Sequence, residues 1–349
     1  MVEKLVDSYK REIDYLRLSV TDRCNLRCVY CMPEGGIKII NRKELLTFEE
    51  VIRITRILSG FGIKKIRITG GEPLLREDII RLIGEIGKIN GIEDLSLTTN
   101  GTLLSKYAEP LYRAGIKRVN VSIDSLDPQK FRAITRGGNL KQVLDGISKA
   151  VKTGFEPIKI NVVITNLLDK KDILDFVKLT AENFISVRFI ESMPAVDLNN
   201  VECGKIGIIK SDAGLNKNLS GGYSIYKVLS IVRKNWSLYK TDGPVGYGPS
   251  EYYKIKGGRG TIGFIFNDKA HCRSCNRIRL TSKGSIKLCL FSSCEFDIKA
   301  EIRSSVSDID IKKKLVDFIK TKPENRDANS DCKNCGSMKI PNYMYQIGG

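Results

Sequence analysis

Short apolar runs of strand character alternate with amphipathic stretches through the first two thirds of the chain. Six runs read as strands: YLRLSVT (15–21), KIRIT (65–69), LSLTT (95–99), RVNVSID (118–124), IKINVVIT (158–165) and SVRFIE (186–191). Between them lie helical patterns. In TFEEVIRITRILSGFG, Phe48, Val51, Ile52, Thr55 and Leu58 recur at helical spacing, Thr47 with Glu50 makes a capping box, and Gly60 and Gly62 end the helix. Residues 78–89, 104–115, 140–154 and 172–184 read the same way. Repeated βα units predict parallel strands with right-handed crossovers, as an open doubly wound sheet or a barrel. In either, chemistry sits at the carboxyl ends of the strands. Beyond about residue 195 the rhythm breaks, and GPVGYGPSEYYKIKGGRGTIGFIF predicts hairpins in a separate layer. The last stretch, from KTKPENRD to the closing glycines, is polar and poorly periodic, and reads as a tail lying over something.

Composition narrows the class. With 349 residues, 42% of them hydrophobic, the chain can bury a large core and is not a disordered polymer. The formal charge of +18 favours an anionic partner, whether nucleic acid, an acidic membrane surface or a phosphorylated small molecule; a solvated lysine-rich surface competes with all three. No window reaches the ~18 apolar residues of a membrane span, and MVEKLVDSYKREIDYL is too charged for a secretory segment, so a cytoplasmic location is expected. Ten cysteines there read as metal ligands or redox groups rather than a disulfide framework. The single histidine, His271, abuts Cys272 and argues against Ser-His-Asp triads and polyhistidine metal sites.

The polar motifs fall at strand ends. Cys24, Cys28 and Cys31 form CxxxCxxC on the loop after the first strand, where three thiolates can hold a 4Fe–4S cube and leave one iron open; a structural zinc site is the competing reading. GGEP, Gly70 to Pro73, offers carbonyls and a carboxylate to an ammonium group, or is simply a turn opening a helix. Thr98 and Ser122 stand at later strand ends, suited to a carboxylate. Cys272, Cys275 and Cys289 make a second open trio, or half a zinc ribbon completed by Cys332 and Cys335. Arg17, Arg67, Lys159 and Arg188 lie on alternating strand positions that can point into a barrel lumen, where cations call for an anion. Arg277 and Arg279 share one strand face beside the second trio.

A strand-end GGE about forty residues after CxxxCxxC resembles the radical S-adenosylmethionine (SAM) superfamily. CNRIRLT with CLF, together with KIRITGGEPLLR, LTTNG, ITRGG, IKINVVI, RFIESMP, GGRGTIGFI and the terminal IGG, resembles the GTP 3′,8-cyclase family of molybdenum cofactor biosynthesis over nearly the whole chain. That resemblance implies an α/β fold: an incomplete (βα)6 TIM-like barrel with a carboxyl-terminal extension closing its open side. The corresponding divisions are 1–195 for the radical SAM partial barrel, 196–325 for the second-cluster and substrate region, and 326–349 for a tail ending in Gly-Gly.

The resemblance also implies two 4Fe–4S clusters, one on Cys24, Cys28 and Cys31 and one on Cys272, Cys275 and Cys289. SAM would be chelated by the first and held by Tyr30, Gly71, Glu72, Thr98, Ser122 and Met193. GTP would meet Arg17, Arg67, Lys159, Arg188, Arg277 and Arg279, with its base on the second cluster, while Gly348 and Gly349 serve the cyclisation. Implied partners are an electron donor such as ferredoxin or flavodoxin, a second copy in a homodimer, and cyclic pyranopterin monophosphate synthase as recipient of the product. No nucleic acid and no membrane are implied. Two other readings stand beside it: a peptide-modifying radical SAM enzyme, and a basic zinc-ribbon protein that binds nucleic acid. Cys332 and Cys335 depart from the family pattern as idle thiols, a zinc pair or a disulfide, and Cys294, five residues beyond Cys289, is near enough in sequence to be a fourth ligand but is expected not to close the second trio. The stretch 195–235, with Cys203, matches loosely.

Overall fold

A computed structural model describes residues 4–32, 35, 41–192, 222–244, 248–268, 270–292, 294–304 and 306–325. The alternating pattern folds as a run of βα units. They comprise β1 (Tyr15–Ser19), α1 (Phe48–Ser59), β2 (Lys65–Thr69), α2 (Ile79–Gly87), β3 (Asp94–Thr99), α3 (Leu104–Arg113), β4 (Arg118–Ser122), α4 (Pro128–Thr135), α5 (Leu140–Thr153), β5 (Ile158–Ile164), α6 (Lys170–Glu182) and β6 (Ile185–Glu191). The remainder holds α7 (Ile225–Asn235), β7 (Leu238–Thr241), β8 (Glu251–Ile255), β9 (Thr261–Ile265), α8 (Ala270–Arg273), β10 (Arg277–Leu280), β11 (Ser285–Lys287), β12 (Glu295–Asp297), α9 (Ile298–Arg303) and α10 (Asp308–Lys320). The Thr47–Glu50 capping box forms as the sequence predicts.

All the strands belong to one sheet, in the order β12-β11-β10-β1-β2-β3-β4-β5-β6-β9-β8-β7. This corrects the expectation of a separate hairpin layer. β6 would otherwise present an open row of backbone donors and acceptors, and β9 pairs with it in parallel, as β10 does with β1. Glycine permits the approach: a Cβ on Gly260 would sit 2.0 Å from the Ile185 carbonyl oxygen. The extension thus covers both edges of the partial barrel.

Period two divides each barrel strand. Leu16, Leu18, Ile66, Ile68, Leu97, Val119, Val121, Ile160, Val187 and Phe189 are buried in the core. The other face is polar, and the register stacks it in staggered rows. Arg279, Arg17, Arg67 and Ser96 are successive partners across β10, β1, β2 and β3; Thr98, Asn120, Lys159 and Ser186 across β3 to β6; and Ser122, Asn161, Arg188 and Gly263 across β4, β5, β6 and β9. The lumen floor is closed by the ion pair of Lys65 with Asp14 at 2.6 Å and that of Arg118 with Asp94.

Candidate active site

A cavity of ≈ 360 Å³ opens at the carboxyl ends of these strands. Its wall includes both cysteine trios, Tyr30, Gly71, Thr98, Ser122, and Arg17, Arg67, Arg188, Arg277 and Arg279. Residues drawn from positions 17 to 289 therefore share one space. Met193, Gly348 and Gly349 lie outside the described residues, as do Cys203, Cys332 and Cys335.

The first trio sits on a loop pinned to the end of α4. The Arg27 and Val29 amides donate to the carbonyls of Thr135 (3.1 Å) and Ile134 (3.0 Å), and Arg136 donates to the carbonyl of Met32 at 3.0 Å. Tight turns complete it, with Cys31 and Met32 amides both on the Cys28 carbonyl. The glycine pair fits beneath. A Cβ on Gly71 would fall 2.3 Å from the Arg23 carbonyl oxygen, so this strand end accepts only glycine without moving. Burial, reinforced by Asp124, pushes the Cys28 thiol well above its ordinary range, and burial raises Cys24.

Two carboxylates organise this side of the cavity. Asp124 accepts from the Tyr30 hydroxyl at 2.7 Å and from the Val163 amide at 2.8 Å, and burial raises its pKa to about 6. Glu72 is fully buried and does not line the cavity. Its oxygens accept from Thr99 (2.8 Å), Leu74 (3.1 Å) and Asn100 (2.7 Å), and burial lifts its pKa to about 7. Where the sequence suggests direct contact with an ammonium group, the structure has Glu72 bracing the loop that frames the cavity. Asn100 in turn donates to Cys24 Sγ at 3.7 Å.

The opposite side is cationic. Burial and neighbouring Arg279 drive the Arg17 pKa well down, while burial and Arg277 bring Arg279 to about 10. Arg188 is anchored by Asn161 (2.9 Å from Nε) and Asn120 (3.0 Å), and Asn120 donates to Thr98 at 3.3 Å. Arg67 packs 5.6 Å from the Tyr15 ring centroid. Lys159 sits one layer below Asn161 and outside the cavity wall; burial, then Arg188 and Arg67, lowers its pKa to about 7. At the second trio the field is reversed relative to the first. Burial alone raises the Cys275 thiol, but Lys322 and Arg277 outweigh it and bring it to about 7.

Comparison with known proteins agrees with this geometry. Residues 18–180 match the radical SAM superfamily pattern and residues 185–328 the molybdenum cofactor synthesis C pattern. A GTP 3′,8-cyclase of Listeria monocytogenes is 42% identical over 351 residues, covering 100% of both chains. The chain belongs to the GTP 3′,8-cyclase family. Relatives of the same name occur in Peptoclostridium acidaminophilum (42%, over 99% of this chain and 98% of the relative) and Thermodesulfovibrio yellowstonii (42%, over 91% and 94%). Among solved structures, Streptococcus suis SuiB bound to S-adenosylmethionine superposes with TM-score 0.58 over 94% of this chain and 72% of its own, at 15% identity. That is a likeness of fold, and the peptide-modifying reading draws no more from it.

Enzymes of the family are radical SAM enzymes that work with SAM and two 4Fe–4S clusters. The residues present fit these groups. All six trio cysteines carry thiols outside any disulfide and stand half-buried on the cavity wall. Among the described residues no three His, Cys, Asp or Glu side chains are grouped tightly enough to hold a single metal ion. Cys294 does not join the second trio: it is buried, disulfide-bonded and absent from the cavity wall.

Sequence reasoning missed Asp124, Asn120, Asn161, Arg136 and Asn100. Asn120 and Asn161 had a readable signal, since they share strand parity with Lys159 and Ser122.

Proposed function

We propose that this chain cyclises GTP, joining C3′ of the ribose to C8 of guanine to give 3′,8-cyclo-7,8-dihydro-GTP, the first step of molybdopterin synthesis. One observation carries the reading: both cysteine trios and five arginines line a single cavity. Cys24, Cys28 and Cys31 hold the first cluster and Cys272, Cys275 and Cys289 the second. When bound, the first cluster and SAM would supply the radical chemistry that removes the C3′ hydrogen of GTP, and the electron donor and solvent would return one electron and one proton once C3′ is joined to C8. The chain's own residues bind and orient the two molecules. Gly70 and Gly71 let SAM approach the backbone, Thr98 and Ser122 meet its carboxylate, and Asp124 fixes the Tyr30 ring beside it. The arginines receive a triphosphate of about four negative charges, for which guanidinium forks are suited. Lys159 supports them from below, its charge restored as the anion arrives. Leu26, Met32, Ile190, Ile265 and Phe266 give the cavity an apolar lining that excludes water from the reacting carbon.

Met193, Gly348 and Gly349 complete the site in this reading, and the division at 195 and 325 separates barrel, second-cluster region and tail. No helix among the described residues is long and apolar enough to cross a membrane. A cytoplasmic homodimer, reduced by ferredoxin or flavodoxin and passing product to cyclic pyranopterin monophosphate synthase, fits this chemistry.

Protein reconstituted without oxygen and given SAM, GTP and a strong reductant should yield 5′-deoxyadenosine and a cyclised isomer of GTP by mass spectrometry. Formation of 5′-deoxyadenosine with GTP untouched would overturn the substrate assignment.

A further inference from the structure

The second cysteine trio is held by the two ends of the described chain. Near the amino end, Val6 and Glu12 form an isolated bridge, and Asp7 caps the turn between them by accepting from the amides of Tyr9 and Arg11, both at 2.9 Å. Arg11 is paired with Asp7 at 2.5 Å, both side chains buried. Its other nitrogens donate to the carbonyls of Cys272 (2.7 Å), Glu324 (2.9 Å) and Pro323 (2.6 Å). One residue earlier, Lys322 is only 2% exposed, and its Nζ donates to the Arg277 carbonyl at 2.9 Å and to that of Leu288. Each cysteine thus lies within two residues of a carbonyl held by a buried cation.

The partners of Lys322 in these bonds are neutral carbonyls, and among its neighbours Arg11 and Arg277 repel its charge while Cys275 and Cys289 are the groups that favour it. A buried ammonium is costly unless an anion meets it, and three thiolates on an iron–sulfur cube provide one. We propose that Lys322, braced by Arg11, is the positioning cation of the second cluster, fixing Cys275 against Cys289 and stabilising the cluster's reduced form. This rests on the assignment of Cys272, Cys275 and Cys289 as its ligands. Net charge and hydrogen bonding around a cluster set both its retention and its potential.

The test compares anaerobically loaded enzyme with Lys322→Met, Lys322→Arg and Cys275→Ser, by iron and sulfide content per chain and by redox titration followed by electron paramagnetic resonance. Cys275→Ser should lose about half the parent's iron; equal iron in the two would remove the ligand assignment itself. Lys322→Met should then either fall to the Cys275→Ser level while still cleaving SAM, or keep its second cluster at a lower potential. Lys322→Arg should stay near the parent. Both clusters retained at parental potentials in Lys322→Met, or equal damage in Lys322→Arg, would overturn the proposal. If Lys322→Met loses both clusters together, Arg11→Gln decides: selective loss or a shifted potential of the second cluster supports it, and any other result overturns it.

Discussion

The two cysteine trios have the same ligand count and face the same cavity, yet the protein surrounds them in opposite ways. The first is pinned by a helix end within its own βα array and lies among buried carboxyl groups, Asp124 and Glu72, that oppose thiolate formation. The second is clamped by residues from the chain's extremities and lies among Lys322, Arg277 and Arg279. The difference teaches what each side is for. The arginines suit a polyphosphate, whereas the two carboxyl groups, hydrogen-bonded behind the wall, hold Tyr30 and the Asn100 loop in place. The likeness of the cysteines conceals opposite surroundings: buried carboxyl groups behind the wall at one trio, ammonium and guanidinium groups at the other.

The sharpest way to break that comparison is to remove one ligand on each side. Cys28→Ser should reduce 5′-deoxyadenosine formation to background. Cys275→Ser should retain it but form no cyclised GTP, both read by mass spectrometry. Equal loss in the two would show that the two sides do not act separately. Next, Arg17→Ala should raise KM for GTP on the order of a hundredfold, the value of a charged hydrogen bond, with KM for SAM within about twofold of the parent. Asp124→Asn should act on the other side: it loosens Tyr30 and weakens SAM binding roughly tenfold by calorimetry, leaving GTP affinity unchanged.

An effect on stability rather than on binding concerns Lys159, whose folded pKa of about 7 lies below its unfolded value. A depressed pKa gives stability that is present at high pH and lost as pH falls through about 7. In the protein without ligands Lys159 should therefore contribute a gain of about 2 kcal/mol between pH 7 and pH 9, measured by denaturant unfolding of the parent against Lys159→Met. Lys159→Met should lose that gain, and GTP should shrink it in the parent by restoring the charge.

The sequence made the barrel strands legible because each carries a period of two with apolar residues on one face, and it made the trios legible because their ligands are local. Other features were not local. The bond from Arg11 to Cys272 spans 261 positions and that from Lys322 to Leu288 spans 34, distances no periodicity reports. The hairpins were recognised but misplaced, because glycine-rich alternation signals pairing without naming the partner strand. α4 was passed over, since Pro128–Thr135 is short and its role lies in its carboxyl end, where Ile134 and Thr135 receive the cysteine loop. Glu72 reads from its motif as a contact for an ammonium group, and its bonds to Thr99 and Asn100 are a bracing role that the motif does not report.

The pairing of β9 with β6 and of β10 with β1 also orders events at the ribosome. When β6 has emerged and synthesis has not yet reached Thr261, the partial barrel has two raw edges and only the first set of cysteines. Such a chain is at its most prone to edge-to-edge association, and neither edge strand can be covered before the last quarter of the protein is made. Translation order thus sets the earliest moment at which the sheet can close. A pause in synthesis between residues 192 and 261 would lengthen the exposure of the nascent enzyme to aggregation.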